Sequence, residues 1–247
     1  MATSRSNPAF RNAIFTRAIA APGAEVMTLS GTFGKTALLA LVTIASTVYT
    51  WSQVNVAGGG NVGALTMIGA IGGFVLAMLT IFNPTWSPWS APVYAVLEGL
   101  ALGGISAFIN AVPRYRGIPA QAVMLTFATL VVMLMLYRAG VIRATDRVRS
   151  VIINATIAVM VYYLMDLVLS FFHQRMPFMT GGGTFGIIFS AVICGIAALN
   201  LILDFDLVDE GVRRGAPKYM EWYGGFSILV TLIWLYLEIA RLLMRRR

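Results

Sequence analysis

The chain is punctuated by seven apolar runs, and that feature restricts it to very few folds. They span Lys35–Gln53, Gly63–Phe82, Ala91–Val112, Ile118–Tyr137, Ser150–Phe172, Thr184–Asp204 and Trp222–Leu243. Each has about the 20 residues that an α-helix needs to cross a hydrocarbon core of about 30 Å. Lipid offers no hydrogen bonds to an open backbone, so apolar runs of this length must be helical. The connectors hold helix breakers: Gly58-Gly59-Gly60, Asn83-Pro84 with Pro88, Pro113 with Pro119, Gly181-Gly182-Gly183, and Gly215-Ala216-Pro217. Trp51, Trp86, Trp89 and Trp222 stand at span ends, where amphipathic rings favour the headgroup zone. The fold expected is an all-α, polytopic transmembrane helix bundle. It has two parts: an N-terminal cytoplasmic arm over 1–34, disordered or interfacial, and a seven-helix membrane domain over 35–247.

Composition agrees. Of the 247 residues 58% are hydrophobic and 11% charged, whereas a soluble domain carries about 25% charged residues to coat itself in water. Seven spans leave no room for a further soluble domain. Cys194 and His173 are each the sole residue of their type, which rules out disulfide frameworks and His/Cys zinc sites. No resident cofactor is expected. The net charge of +8 would suit nucleic acid, but the basic residues flank apolar runs, where they set topology and meet anionic headgroups. The partner expected is the lipid bilayer, not nucleic acid.

Arg5, Arg11, Arg17, Lys35, Arg138, Arg143, Arg147, Arg149, Arg213, Arg214 and Lys218 fall on the side of the N-terminus. Arg114, Arg116, Arg175, Arg241, Arg245, Arg246 and Arg247 fall on the other, eleven against seven. The excess places the N-terminus in the cytoplasm of a plasma (inner) membrane protein. The tail arginines oppose this, because seven crossings put them outside and a re-entrant last segment would put them inside. Early spans dominate insertion, so seven crossings are expected.

Gly69 and Gly73 in the second run, and Gly99 and Gly103 in the third, are small residues four apart on one helical face. Such pairs let backbones approach where water cannot drive association. The residues that suggest chemistry are acids: Glu98, Asp166, Asp204, Asp206, Glu221 and Glu238. An ionised carboxylate in hydrocarbon costs at least about 2.5–3.5 kcal/mol, so each should face water, a partner or the protein interior. Glu98 lies seven residues into its run, roughly 10 Å below the boundary. Asp204 closes the sixth run, sharing a face with Asn200, and Glu221 opens the seventh on the same side. Neighbouring carboxylates share a proton or recruit a cation. Oxygen ligands suit a hard ion such as Ca²⁺, and too few of them for a cage suits passage more than storage. Other assignments need no ion. Asp206, Asp209, Glu210 and Glu221 also read as solvated loop residues near Arg213, Arg214 and Lys218, the preferred reading for Asp209 and Glu210, while Glu238 reads as a partner of Arg241 and Asp166 as a partner of Arg175.

Three segments, AVICGIAALNLILDFDLVDE (Ala191–Glu210), YAVLEGLALGGIS (Tyr94–Ser106) and EWYGGFSILVTLIWLYLEIARLL (Glu221–Leu243), together resemble the Bax inhibitor family, the transmembrane Bax-inhibitor-motif proteins, in its bacterial branch. The resemblance covers roughly residues 30–243. It implies seven helices with the last one central, and a pH-sensitive Ca²⁺ leak controlled by two acids. Asp204 matches the first acid. For the second, Leu235-Tyr236-Leu237-Glu238 resembles the family's text, while depth favours Glu221; both stay open.

The expected function is therefore a leak gated by protonation, with Ca²⁺ or H⁺ as the ion moved. The alternative is a non-conducting modulator that binds another membrane protein, such as a quality-control protease. Catalysis is not expected. His173 lies at a loop edge, and Gly104-Ile-Ser106 and Gly225-Phe-Ser227 lack the following glycine of rhomboid-type proteases.

Overall fold

A computed structural model of the protein describes residues 25–55, 61–142, 144–172 and 183–247. Among them are seven long α-helices: α1 (Leu29–Ser52), α2 (Val62–Phe82), α3 (Ser87–Ala111), α4 (Ile118–Arg138), α5 (Asp146–Phe171), α6 (Thr184–Arg213) and α7 (Met220–Arg246). All seven are long and apolar enough to cross a membrane. The only β-pairing among the described residues is one antiparallel bridge, Val26 with Pro217. Most of the expected arm, residues 1–24, lies outside the described residues.

Local chemistry sets the helix ends. The Thr28 hydroxyl accepts from Gly31 N–H at the start of α1, and the Thr145 hydroxyl from Val148 N–H at the start of α5, each satisfying a donor that the first turn leaves open. Gly140 and Gly215 adopt φ of 69° and 63°. Past them, Val141 N–H reaches Leu136 O and Ala216 N–H reaches Gly211 O, the six-to-one bond of a helix end turned by a left-handed glycine. Within the helices, buried hydroxyls return to their own backbone. Thr32, Thr36, Thr43, Thr66, Thr80 and Thr126 each donate to the carbonyl four residues before, so these hydroxyl hydrogens are not stranded in an apolar medium.

The sixth span differs from its apolar run in a way that matters for function. The sixth run ends at Asp204, yet α6 continues to Arg213. Asp204 therefore sits nine residues, about 13 Å, before the helix end rather than at it. Asp206, Asp209 and Glu210 are helical too, not loop residues. The last helix, α7, runs unbroken for 27 residues, roughly 40 Å, with none of the interruption that a re-entrant segment needs.

The chain forms two compact units, residues 1–109 with 206–229, and residues 110–205 with 230–247. In the first, α3 packs between α1 and α2 through its small residues. An added Cβ at Gly99 would lie 2.5 Å from Thr43 O, and one at Gly103 2.5 Å from Thr47 O, so bare glycines set the α1–α3 approach. Thr47 Oγ donates to Gly99 O at 3.1 Å across that contact. On the other side of α3, Gly69 of α2 lies against the Leu97 carbonyl and Ala101, and Gly73 against Glu98. Thr80 of α2 bonds Ser90 of α3 at 2.7 Å, and Tyr94 meets Phe226 of α7 edge-on at 4.9 Å. In the second unit, Asn200 of α6 donates to Thr156 of α5 at 2.8 Å, and Phe205 packs on Tyr137 of α4 at 5.7 Å. Of the seven span-length helices among the described residues, α7 is the most buried and α5 the least. Apolar surface on α2 and α5, including Ile71, Phe74, Met160 and Leu164, is exposed from the protein and suits lipid.

Candidate functional site

Four acids of the helices lie almost wholly inside the protein: Glu221 and Glu238, each 1% exposed, Asp166 at 4% and Asp204 at 8%. Glu98 is half-buried. Burying a carboxylate is costly unless it is paired or hydrogen-bonded, so what surrounds each one separates structural acids from functional ones.

Glu221, at the start of α7, is fully occupied. Its carboxylate accepts from the Thr28 amide at 2.9 Å, the Thr28 hydroxyl at 2.8 Å and the Lys35 ammonium, and Lys218 lies 3.5 Å away. Lys35 also stands over the Trp222 ring at 5.3 Å, a cation–π contact. Gly31 opens the space, since any Cβ there would strike the Glu221 carboxylate. The clamp extends outward along the chain: Met27 N–H reaches Ala216 O at 2.7 Å, and Lys218 N–H reaches Glu25 O at 3.1 Å. Glu221 thus ties the segment before α1 to the turn before α7. It is not a solvated residue.

Glu238 is equally occupied. It receives the Tyr163 hydroxyl at 2.6 Å and Trp234 Nε1 at 3.2 Å, and Arg241 Nη1 at 2.8 Å from both oxygens. Arg241 also bonds the Tyr163 hydroxyl and lies 4.9 Å from that ring. The Glu238–Arg241 pair reads from the sequence as an i, i+3 contact. Tyr163 and Trp234 make it a network.

Glu210 pairs with Arg213 at 2.8 Å and Arg214 at 2.6 Å at the exposed end of α6. Asp204 and Asp206 lie two residues apart on α6 and so point to different faces. Asp204 is buried and Asp206 half-buried. Asn200, on the face of Asp204, is engaged by Thr156 and the Ile196 carbonyl. Asp166 is buried on α5, and Arg175 lies outside the described residues.

Glu98 differs from all of these. Among the described residues no hydrogen bond or ion pair engages its carboxylate. Its surroundings are shaped by an absence, because a Cβ on Gly73 would lie 2.7 Å from Glu98 Oε1. A glycine of α2 makes room for an acid of α3. Among the described residues no three His, Cys, Asp or Glu side chains gather to hold a metal ion, so a cation meeting Glu98 would keep most of its ligands as water.

Lys35, Thr28 and Gly31 as the surroundings of Glu221, and Tyr163 as a partner of Glu238, are beyond sequence reasoning. Lys35 and Glu221 are 186 positions apart. One weak signal exists: Gly31 and Lys35 are i and i+4, so the same face of α1 carries a gap and a cation.

A family model described as Bax inhibitor 1 like matches residues 7–247. No curated protein and no solved structure matches the chain.

Proposed function

The chain belongs to the Bax inhibitor 1 like family, and from that premise we propose that this integral membrane protein is a cation leak controlled by protonation, with Ca²⁺ as its substrate. Glu98 is the acid that attracts the ion, and Asp204 is the acid whose protonation changes the charge held inside α6. One observation carries the reading. Glu221 and Glu238 are each neutralised by a cationic side chain in their own surroundings, while Glu98 has no such counter-charge among the described residues. An ionised carboxylate within a span demands compensation. With no protein cation to supply it, water, a proton or a passing cation must. A single carboxylate with water as co-ligand holds Ca²⁺ weakly enough to release it, as conduction requires.

The test is Ca²⁺ flux into proteoliposomes as a function of pH. Glu98→Gln removes one charge. At about 4 Å in water-like surroundings, one charge is worth about 2 kcal/mol to a divalent ion, or roughly 30-fold in occupancy. Flux should fall by about that factor, and Asp204→Asn should flatten the pH profile. Parent and both variants with the same flux and the same profile would sink the mechanism.

A second reading, a non-conducting modulator that binds another membrane protein, is favoured by the anchorage of residues 25–28 on the turn before α7. That anchorage holds the exit of the N-terminal arm in one place. Deleting residues 1–24 spares flux under the first reading and abolishes partner binding under the second. The deletion must stop there, because Thr28 is a ligand of Glu221.

A further inference from the structure

One face of α3 carries Ser87, Ser90, Tyr94 and Glu98, spaced three, four and four residues apart. The first two are spent on structure. Ser87 Oγ donates to Tyr219 O at 3.0 Å, and Ser90 Oγ donates to Trp86 O at 3.1 Å while receiving the Thr80 hydroxyl at 2.7 Å. Tyr94 and Glu98 are not. The Tyr94 ring is fixed edge-on against Phe226 at 4.9 Å. Among the described residues its hydroxyl makes no hydrogen bond, although Tyr94 is only 2% exposed. A buried tyrosine hydroxyl ordinarily finds a partner. Beyond Glu98 the face continues as Ala101 and Leu102, both buried, so its polar part runs from the Ser87 end and stops at Glu98.

We propose that the Tyr94 hydroxyl is the second protein oxygen of the Glu98 cation site, a neutral ligand one helical turn from the carboxylate. The inference rests on the reading of Glu98 as the acid that meets Ca²⁺. Two arguments bring the groups together. Side chains on a helix lean towards its N-terminus, so the Glu98 carboxylate lies back over the turn that bears Tyr94. The charge of Glu98 also acts on the Tyr94 hydroxyl. A hard cation takes oxygen ligands, charged or neutral, and fills the rest of its shell with water. Glu98 supplies the charge. Tyr94 supplies an oxygen whose place the Phe226 contact has already set, so little rotamer freedom is lost when an ion arrives. The hydroxyl keeps its proton and offers a lone pair. A tyrosine serving only to fill space would bond its hydroxyl to a backbone carbonyl, as Ser87 and Ser90 do.

The experiment uses terbium, a luminescent stand-in for Ca²⁺, added to the full chain in micelles. Emission lifetimes in H₂O and D₂O count the waters left on the ion. The signal that matters is the terbium that the parent binds and Glu98→Gln does not. Tyr94→Phe keeps the ring and its contact with Phe226 and removes only the hydroxyl. It should weaken that terbium about two- to tenfold, the worth of one oxygen contact, and the ion should gain about one water in its place. Ser90→Ala, on the same face but engaged with Thr80, should change neither. Unaltered affinity and water count in Tyr94→Phe, beside a loss in Glu98→Gln, would overturn the role of Tyr94 and leave that of Glu98 standing. Equal changes in Ser90→Ala would overturn it too, because a loosened helix face would then explain both. Terbium binding identical in the parent and Glu98→Gln would sink the Glu98 reading itself, and this inference with it.

Discussion

At the scale of single residues, what distinguishes the acids is their company rather than their depth. Glu221 is more deeply buried than Glu98, yet it is the one that protein groups neutralise. Removing one partner of a buried pair leaves an uncompensated charge, at about 3–5 kcal/mol. Lys35→Met should therefore destabilise the protein towards the lower end of that range, because Lys218 remains 3.5 Å from Glu221. Lys35→Met combined with Glu221→Met should recover most of the loss, since both charges then vanish together. Denaturant unfolding in micelles gives both values. A double variant as unstable as the single would mean that Thr28 and the shape around Gly31, rather than charge balance, stabilise this corner. The Glu238–Arg241 pair is legible in the sequence because its members are one turn apart on one helix. Lys35–Glu221 is not, because only the packing of α1 on α7 makes them neighbours.

At the scale of helices, equal residue types do unequal work. Gly103 faces α1 so closely that a methyl group would overlap Thr47 O and the Thr50 side chain. Gly34, on α1, has nothing within 4 Å of the position a Cβ would take. Gly103→Ala should cost about 1–3 kcal/mol through overpacking, whereas Gly34→Ala should be neutral or stabilising by up to about 1 kcal/mol from helix propensity. Thermal unfolding of the two variants checks the difference, and equal effects would remove the close α1–α3 approach from the account. The small-xxx-small spacing of Gly69/Gly73 and Gly99/Gly103 marks helix faces that can come close. It does not say which helix each face meets. The structure turns Gly99 and Gly103 to α1, while Gly69 and Gly73 on α2 receive α3. The extent of α6 was hidden for a related reason. Asp206, Asp209 and Glu210 lower the apolar signal, so the run appears to stop at Asp204, although the backbone stays helical while those side chains find partial exposure or arginine partners.

At the scale of the whole molecule, the described residues hold seven helices long and apolar enough to cross a membrane, an odd number, and α7, at roughly 40 Å, is long enough to complete a crossing. One crossing by each would put the two ends of the chain on opposite sides of the membrane. Reporter fusions at the two ends should therefore respond oppositely, one active only in the cytoplasm and the other only outside it. Like responses would mean that one helix does not cross. That α7 is the most buried span agrees with the resemblance, which implies a central last helix.

Some properties of this protein were already determined by the order of its residues. The helical class, the seven spans, most of their limits and the identity of the acids follow from run length, helix breakers and the cost of charge in lipid, which are local or compositional quantities. Which acids are spent on structure was decided only in three dimensions. A carboxylate's fate depends on the groups within a few ångströms of it: for Glu221 these include Lys35 of α1, and for Glu238 Tyr163 of α5 joins Arg241 of its own helix. The same packing left Glu98 beside a glycine, with no cation among the described residues to answer it.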